Sequence, residues 1–245
     1  MRPAKLRFLL PSLAILILAA CSQQADHAAP AAQQQAQDTR TQQDLALYQK
    51  LRSKQQFELA APIGEGVVAR APNSPAAAEI RKTLADTQAK AKVINEKNRL
   101  AQLWIYQSGE ESGGQQNTAT LHPSSPGSDR NRIRLILRRH SAWGQSIYLY
   151  DGKNLGFVCK GQCKLALKID GKPAKALKAS LPDTKDPAMF IDNDKRFLQL
   201  LDTATTLSIT VTIKGDGQRE LFFEAGGFDP KRWPEPGTPH DSTQP

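Results

Sequence analysis

The sequence predicts an α+β protein: an N-terminal helical, repeat-like hairpin followed by an antiparallel β-sheet or sandwich domain with one covering helix. Three observations predict it. Apolar residues recur at spacings of three and four in the first half of the chain. From Arg132 onward the period changes to two over four separate runs. One later segment, with Phe197, Leu200, Leu201 and Ala204, returns to helical spacing among those strands. Antiparallel strands joined by short turns and covered by one helix are an α+β arrangement.

Residues 1–20 open with Arg2, Lys5 and Arg7, then run almost wholly apolar to Ala20. A basic start, a short apolar stretch and small residues before a cut are the marks of a secretory signal. The run is short of the ~20 residues a spanning helix needs. Leu18-Ala19-Ala20-Cys21 resembles the lipobox of bacterial lipoproteins. The resemblance implies that Cys21 carries a diacylglyceryl group and a further acyl chain, and becomes the mature N-terminus. Two or more chains at ~0.8 kcal/mol per buried methylene give stable anchoring. Ser22 in the next position implies, by the sorting rule of such lipoproteins, the periplasmic face of the outer membrane. An uncleaved signal-anchor is the alternative.

The full chain of 245 residues carries 33 basic and 24 acidic residues, a net charge of +9. Cleavage before Cys21 removes three basic residues and no acid, which leaves +6. A basic surface suits an acidic protein or envelope partner, and the periplasmic address argues against nucleic acid. Cys159 and Cys163 flank Lys160-Gly161-Gln162. Disulfides persist in exported proteins. Bridged Cα atoms lie within about 7 Å, so a bridge here demands a tight turn, which Gly161 eases. Two free thiols or a metal site are the alternatives.

Residues 21–43 are rich in Gln and Ala and read as a disordered tether with a reach of ~25 Å. Residues 44–102 read as a helical hairpin. Ser74-Pro75 is a helix start, with Ser at the N-cap and Pro next. Ile80, Leu84, Thr87, Ala91 and Ile94 then form one apolar stripe. Upstream, Pro62, Gly64 and Gly66 interrupt a rougher pattern, in which Gly64 stands where a repeat would place a large apolar residue. A plain helical spacer is the alternative. Residues 108–130 are polar and glycine-rich and read as loops, with Thr118 to Leu121 as a short strand.

Residues 103–229 form the β-rich domain. Ile133, Leu135 and Leu137 alternate with Arg132, Arg134 and Arg138. Ile147 and Leu149 alternate with Tyr148 and Tyr150; Leu165, Leu167 and Ile169 follow; Leu207, Ile209, Val211 and Ile213 lead through Gly215-Asp216-Gly217 into a hairpin ending near Ala225. Asp192 or Asn193 caps the intervening helix. Residues 230–245 are proline-rich and read as an irregular tail.

Trp104-Ile105-Tyr106, the Cys159/Cys163 pair, Met189-Phe190-Ile191-Asp192, the helix with Phe197 and Leu201, and Gly226-Gly227-Phe228-Asp229 occur in an order that is similar to two families. These are the TagO-type accessory proteins of type VI secretion and the invasion-associated locus B proteins. The resemblance implies a non-enzymatic periplasmic binding domain. It carries over no active-site residue.

No catalytic set stands out. Gly144-Gln145-Ser146 lacks the closing glycine of a nucleophile elbow. His27 and His240 lie in the ends, His122 lies in a loop, and His140 beside Ser141 reads as structural. Asp192, Asn193 and Asp194 suit a helix start better than a cation site, and the Asp216 turn lacks the further oxygens a calcium loop needs. No metal or cofactor is expected. The basic pattern is the stronger signal. Arg130, Arg132, Arg134, Arg138 and Arg139 fall within ten residues, and Lys160, Lys164, Lys168, Lys172, Lys175 and Lys178 surround the cysteines. Arg132, Arg134, Arg138 and Arg139 with Trp143, Tyr148 and Tyr150 are the candidate binding surface; a solvated sheet face, with the aromatics in the core, is the bland alternative.

The expected activity is therefore that of a lipid-anchored binding or accessory protein without catalysis, with an immunity or inhibitor lipoprotein against a periplasm-targeting toxin or hydrolase as the alternative. Replacing Cys21→Ser should abolish palmitate labelling and release the protein from the membrane fraction or leave it unprocessed. Unchanged labelling would contradict the lipobox.

Overall fold

The computed structural model describes residues 25–125, 132–159 and 162–237. The signal segment and Cys21 lie outside these residues, as do Arg130, Lys160, Gly161 and His240. The chain divides into two compact units, with the boundary between Lys92 and Val93. Among the described residues no helix is long and apolar enough to cross a membrane.

Among its described residues the first unit has three helices, one more than a hairpin: α1 (Ala25–Ser53), α2 (Phe57–Arg70) and the first part of α3 (Pro75–Gln102). The stretch read as a tether is thus helical from Ala25, consistent with the good helix propensity of Ala and Gln. Thr41 of α1 is buried, and its hydroxyl donates to the Gln37 carbonyl. The core is Tyr48, Ala60, Val67, Ala76, Ala77 and Ile80. The Tyr48 hydroxyl hydrogen-bonds Thr83 and Thr87 of α3 at 3.0 and 2.9 Å. Gly64 is small for a packing reason: a Cβ there would sit 2.8 Å from the Tyr48 ring and 3.0 Å from Leu84. Helix α2 runs through Pro62 and Gly64 without a break. At the α3 start, the Ser74 hydroxyl accepts from the Ala77 amide at 3.1 Å, the expected cap.

Among its described residues the second unit holds one nine-stranded, wholly antiparallel sheet: β1 (Trp104–Glu111), β2 (Gly114–Leu121), β3 (Ile133–His140), β4 (Gly144–Asp151), β5 (Cys163–Ile169), β6 (Lys172–Ser180), β7 (Ala188–Ile191), β8 (Leu207–Ile213) and β9 (Gly217–Phe223). Their order in space is β1-β2-β3-β4-β7-β6-β5-β8-β9. Helix α4 (Asp194–Leu201) follows β7 and turns Phe197 and Leu201 into the core. Asn193 is its N-cap, accepting from the Arg196 amide at 2.9 Å. The α+β class is as the sequence predicts. The β1–β2 hairpin replaces most of the expected loop. Ser112 and Gly113 both have positive φ, the backbone of a tight two-residue hairpin turn, so these two residues close strands instead of spacing them.

Nine strands at ~4.8 Å spacing would put β1 and β9 nearly 40 Å apart in a flat sheet. Instead the two ends meet. The Ser124 amide, just past β2, donates to the Phe222 carbonyl of β9 at 2.7 Å, and the Trp104 indole of β1 donates to the Ala225 carbonyl at 3.2 Å. The sheet is therefore curled, with its apolar side inward and its polar side convex.

The tail fixes this closure. Gly227 has φ +83°, and a Cβ there would lie 2.5 Å from the Ala101 amide, so only glycine fits against the end of α3. The chain then passes Phe228, whose ring lies 5.0 Å from that of Trp104, and delivers Trp233 into the core at 1% exposure. The Trp233 indole donates to the Asn117 carbonyl at 3.0 Å, and the Asn117 amide returns a bond to the Pro234 carbonyl at 2.9 Å. The expected irregular tail is thus, as far as residue 237, part of the fold. Truncating Trp233→Ala should cost about 3–5 kcal/mol in denaturant unfolding. A loss below about 1 kcal/mol would mean that the tail merely rests on the sheet.

Candidate functional site

The register of β3 against β4 decides what each arginine can do. Ile133 faces Asp151, Leu135 faces Leu149, and Leu137 faces Ile147 on the inner side. Arg134 faces Tyr150, Ile136 faces Tyr148, and Arg138 faces Ser146 on the convex side. Two of the four arginines assigned to a binding surface turn out to belong to the interior and the tail.

Arg132 is 5% exposed. Its Nε and Nη2 donate to the two oxygens of Asp151 at 2.9 and 3.1 Å, and its Nη1 reaches Asp216 at 2.7 Å. Asp151 is fully buried and also accepts from the backbone amides of Lys153 and Gly156, both at 3.0 Å. Three of its five N–H donors are taken by the two carboxylates, and its burial keeps the group from an outside ligand. Burial alone would push the Asp151 carboxyl up. The Arg132 hydrogen bonds, the two amides and the Arg132 charge together outweigh that and hold it below the ordinary carboxylate value of 3.8. Asp216, whose turn was weighed as a calcium loop, also accepts from Arg219 at 2.7 Å.

Arg139 is likewise engaged. Its guanidinium lies 3.9 Å from the centre of the Trp233 ring, donates to the Trp233 carbonyl at 2.6 Å, and pairs with Glu235 at 3.1 Å. It clamps the tail. The residue's sequence position gives no hint of this, because its partners lie about a hundred residues away.

Arg134 and Arg138 remain. Arg134 lies 5.0 Å over the Tyr150 ring. Arg138 lies 5.2 Å from Trp143 and 5.4 Å from Tyr148, with Nε donating to the Ser146 hydroxyl at 3.2 Å. Among the described residues neither guanidinium has a carboxylate within 4 Å. Tyr148 continues sideways to Phe190 of β7, ring centres 5.1 Å apart, which adds an aromatic the sequence reading left in a structural motif. Burial pushes the Tyr148 phenol up, so it stays neutral and can donate at physiological pH. Trp143, in the β3–β4 turn, is 51% exposed and stacks on His140 at 3.8 Å.

His140 is 2% exposed, and both ring nitrogens are committed. Nδ1 accepts from the Ala142 and Trp143 amides at 3.1 and 3.3 Å, and Nε2 donates to the Glu111 carbonyl at 2.9 Å. It holds the turn that presents Trp143. The convex face therefore offers Arg134, Arg138, Trp143, Tyr148, Tyr150 and Phe190 on a rigid sheet.

The lysines are more dispersed. Lys168 pairs with Glu220 at 2.9 Å, while Lys164 and Lys178 face one another across β5 and β6. Like charges directly opposed oppose pairing. Cys159 and Cys163 form a disulfide with Cα atoms 5.5 Å apart. It ties the first residue of β5, three strands from β4 in the sheet order, to the loop before it.

No protein-family model matches the chain. No curated protein matches it. Among solved structures, the crystal structure of invasion associated protein B from Bartonella henselae is similar at 20% identity, with a TM-score of 0.35, over 51% of this chain and 85% of that one.

Removing one partner of a buried ion pair leaves the other charge unpaired and costs about 3–5 kcal/mol. Arg132→Ala should show that loss in urea unfolding at neutral pH. Because the Asp151 pKa is lowered on folding, its contribution is present above the ordinary carboxylate value and fades as pH falls through the lowered one. Wild-type stability should therefore drop in acid, and Asp151→Asn, already weakened at neutral pH, should lose part of that slope. An Asp151→Asn curve parallel to wild type would contradict this assignment.

Proposed function

We propose that the chain is a lipid-anchored periplasmic protein that binds an acidic partner through the convex face of β3 and β4, without catalysis. The observation that carries this reading is the division among the arginines. Arg132 and Arg139 have carboxylate partners, while Arg134 and Arg138 keep unpaired guanidiniums fixed over aromatic rings. Arginine and large aromatics are the side chains that most often dominate protein interfaces. A stacked guanidinium loses less freedom on binding than a free one, because its plane is already set. The sequence around Cys21 supports the anchor, and the commitment of both His140 nitrogens supports a structural part for the histidine nearest this face.

A photo-cross-linking residue in place of Trp143, introduced into living cells, tests the reading. Discrete adducts should form, and they should vanish in the Arg134→Glu/Arg138→Glu protein while membrane attachment persists. A cross-linker at exposed Lys172 should not yield them. The same adducts from both positions, or adducts indifferent to the arginines, would overturn the reading.

A further inference from the structure

Resting on that reading, we infer that the partner is a protein that lays an extended segment along β3, with two carboxylates spaced four residues apart and an apolar side chain midway between them. Arg134, Ile136 and Arg138 occupy alternate positions of one strand, so all three side chains share the convex face. Four residues of strand span ~13 Å. The two cations therefore stand ~13 Å apart with an apolar floor between them. Ile136, 9% exposed beneath the flanking side chains, Tyr148 and Phe190 form that floor as one row across β3, β4 and β7, and the Ser180 hydroxyl at its edge donates to Asp192.

The shape favours a protein over a small molecule. Small-molecule sites are concave. This surface is the outside of a curled sheet, whose core side is the concave one. A convex strip of arginine and aromatic side chains with a central apolar stripe has the composition of a protein interface core.

The chemistry favours carboxylates at matching spacing. Each guanidinium is a planar fork that takes a carboxylate through two parallel hydrogen bonds. Arg134 keeps its whole fork, and Arg138 gives only Nε, to Ser146. An extended segment repeats its side chains on one face every second residue, so acid, apolar and acid at alternate positions match Arg134, Ile136 and Arg138 in register. A helix would instead separate residues four apart by only ~6 Å along its axis. Glu111 also acts on this patch, since its charge raises the Tyr148 phenol.

The test uses the full-length mature protein in detergent and a fluorescent peptide with the core Glu-Ser-Leu-Ser-Glu. Anisotropy should show binding at least ~10-fold tighter than to the Gln-Ser-Leu-Ser-Gln peptide, which corresponds to the loss of two charge-assisted contacts. Glu-Glu-Leu-Ser-Ser, with the same composition and the wrong spacing, should bind as weakly as the glutamine peptide. Arg134→Gln and Arg138→Gln should each weaken the first peptide ~5-fold or more, with Arg→Lys restoring only part, and with melting temperatures unchanged. Lys172→Gln/Lys175→Gln should leave binding intact. Equal affinity for the three peptides, no binding, or arginine-dependent binding to phosphatidylglycerol vesicles in place of the peptide would overturn the inference. If the Trp143 adducts in cells still depend on the arginines, the broader binding role survives that failure; if they too are lost, both fall.

Discussion

The buried pair of Arg132 and Asp151 fixes the rest of the sheet's chemistry. It joins the start of β3 to the end of β4, and through Asp216 it reaches the β8–β9 turn. A one-residue slip of β3 against β4 would break both hydrogen bonds and move every side chain to the other face. Leu135 and Leu137 would face water, and Arg134 and Arg138 would face the core. The pair therefore does more than hold two strands. It decides that the apolar residues line the curled interior and that two guanidiniums stand outside over aromatic rings. Ion pairs of this kind cost desolvation and are weak grounds for stability by themselves; here the network of amides from Lys153 and Gly156 satisfies the remaining lone pairs of Asp151.

Closure of the sheet is the second constraint, and it comes from residues far apart in sequence. Trp104, Tyr106 and Trp233 each pack a ring against Phe228, with Arg232 4.4 Å over Tyr106 on one side and Arg139 over Trp233 on the other. The Asp229 amide donates to the Tyr106 hydroxyl at 2.8 Å. Cations thus serve opposite ends in one molecule. Those over Tyr106 and Trp233 seal the tail to β1–β3, and those over Tyr150, Tyr148 and Trp143 stay open to solvent.

Much of this was legible in the residue order, and the failures have physical causes. Alternation found the inner faces of β3, β4, β5 and β8, because half-buried strands reveal themselves by period. It also set Arg134 and Arg138 outward beside Tyr148 and Tyr150. The same pattern misled for Arg132, since it shows which side of a strand a residue takes and not whether a buried carboxylate waits there. Arg139 and Trp233 were missed for a related reason: proline-rich composition suggests an open tail, while only the fold shows that Asn117 and Arg139 receive it. The β1–β2 hairpin escapes the sequence pattern because the exposed halves of its strands carry Gln, Ser and Glu, which give no apolar alternation. The helix over residues 25–43 shows the opposite error, in which low hydrophobicity was taken to mean lack of structure although alanine and glutamine favour helix.

Strand register splits one run of arginines into buried clamps and open contacts. Hydrogen exchange of the arginine side-chain Nε–H groups, followed by nitrogen-resolved NMR on the mature protein, tests it most directly. The Arg132 Nε–H, shut against Asp151, should exchange slower than that of Arg134 by orders of magnitude, and Arg134 should exchange near the rate of a solvated guanidinium. Equal, rapid exchange at both positions would contradict the account.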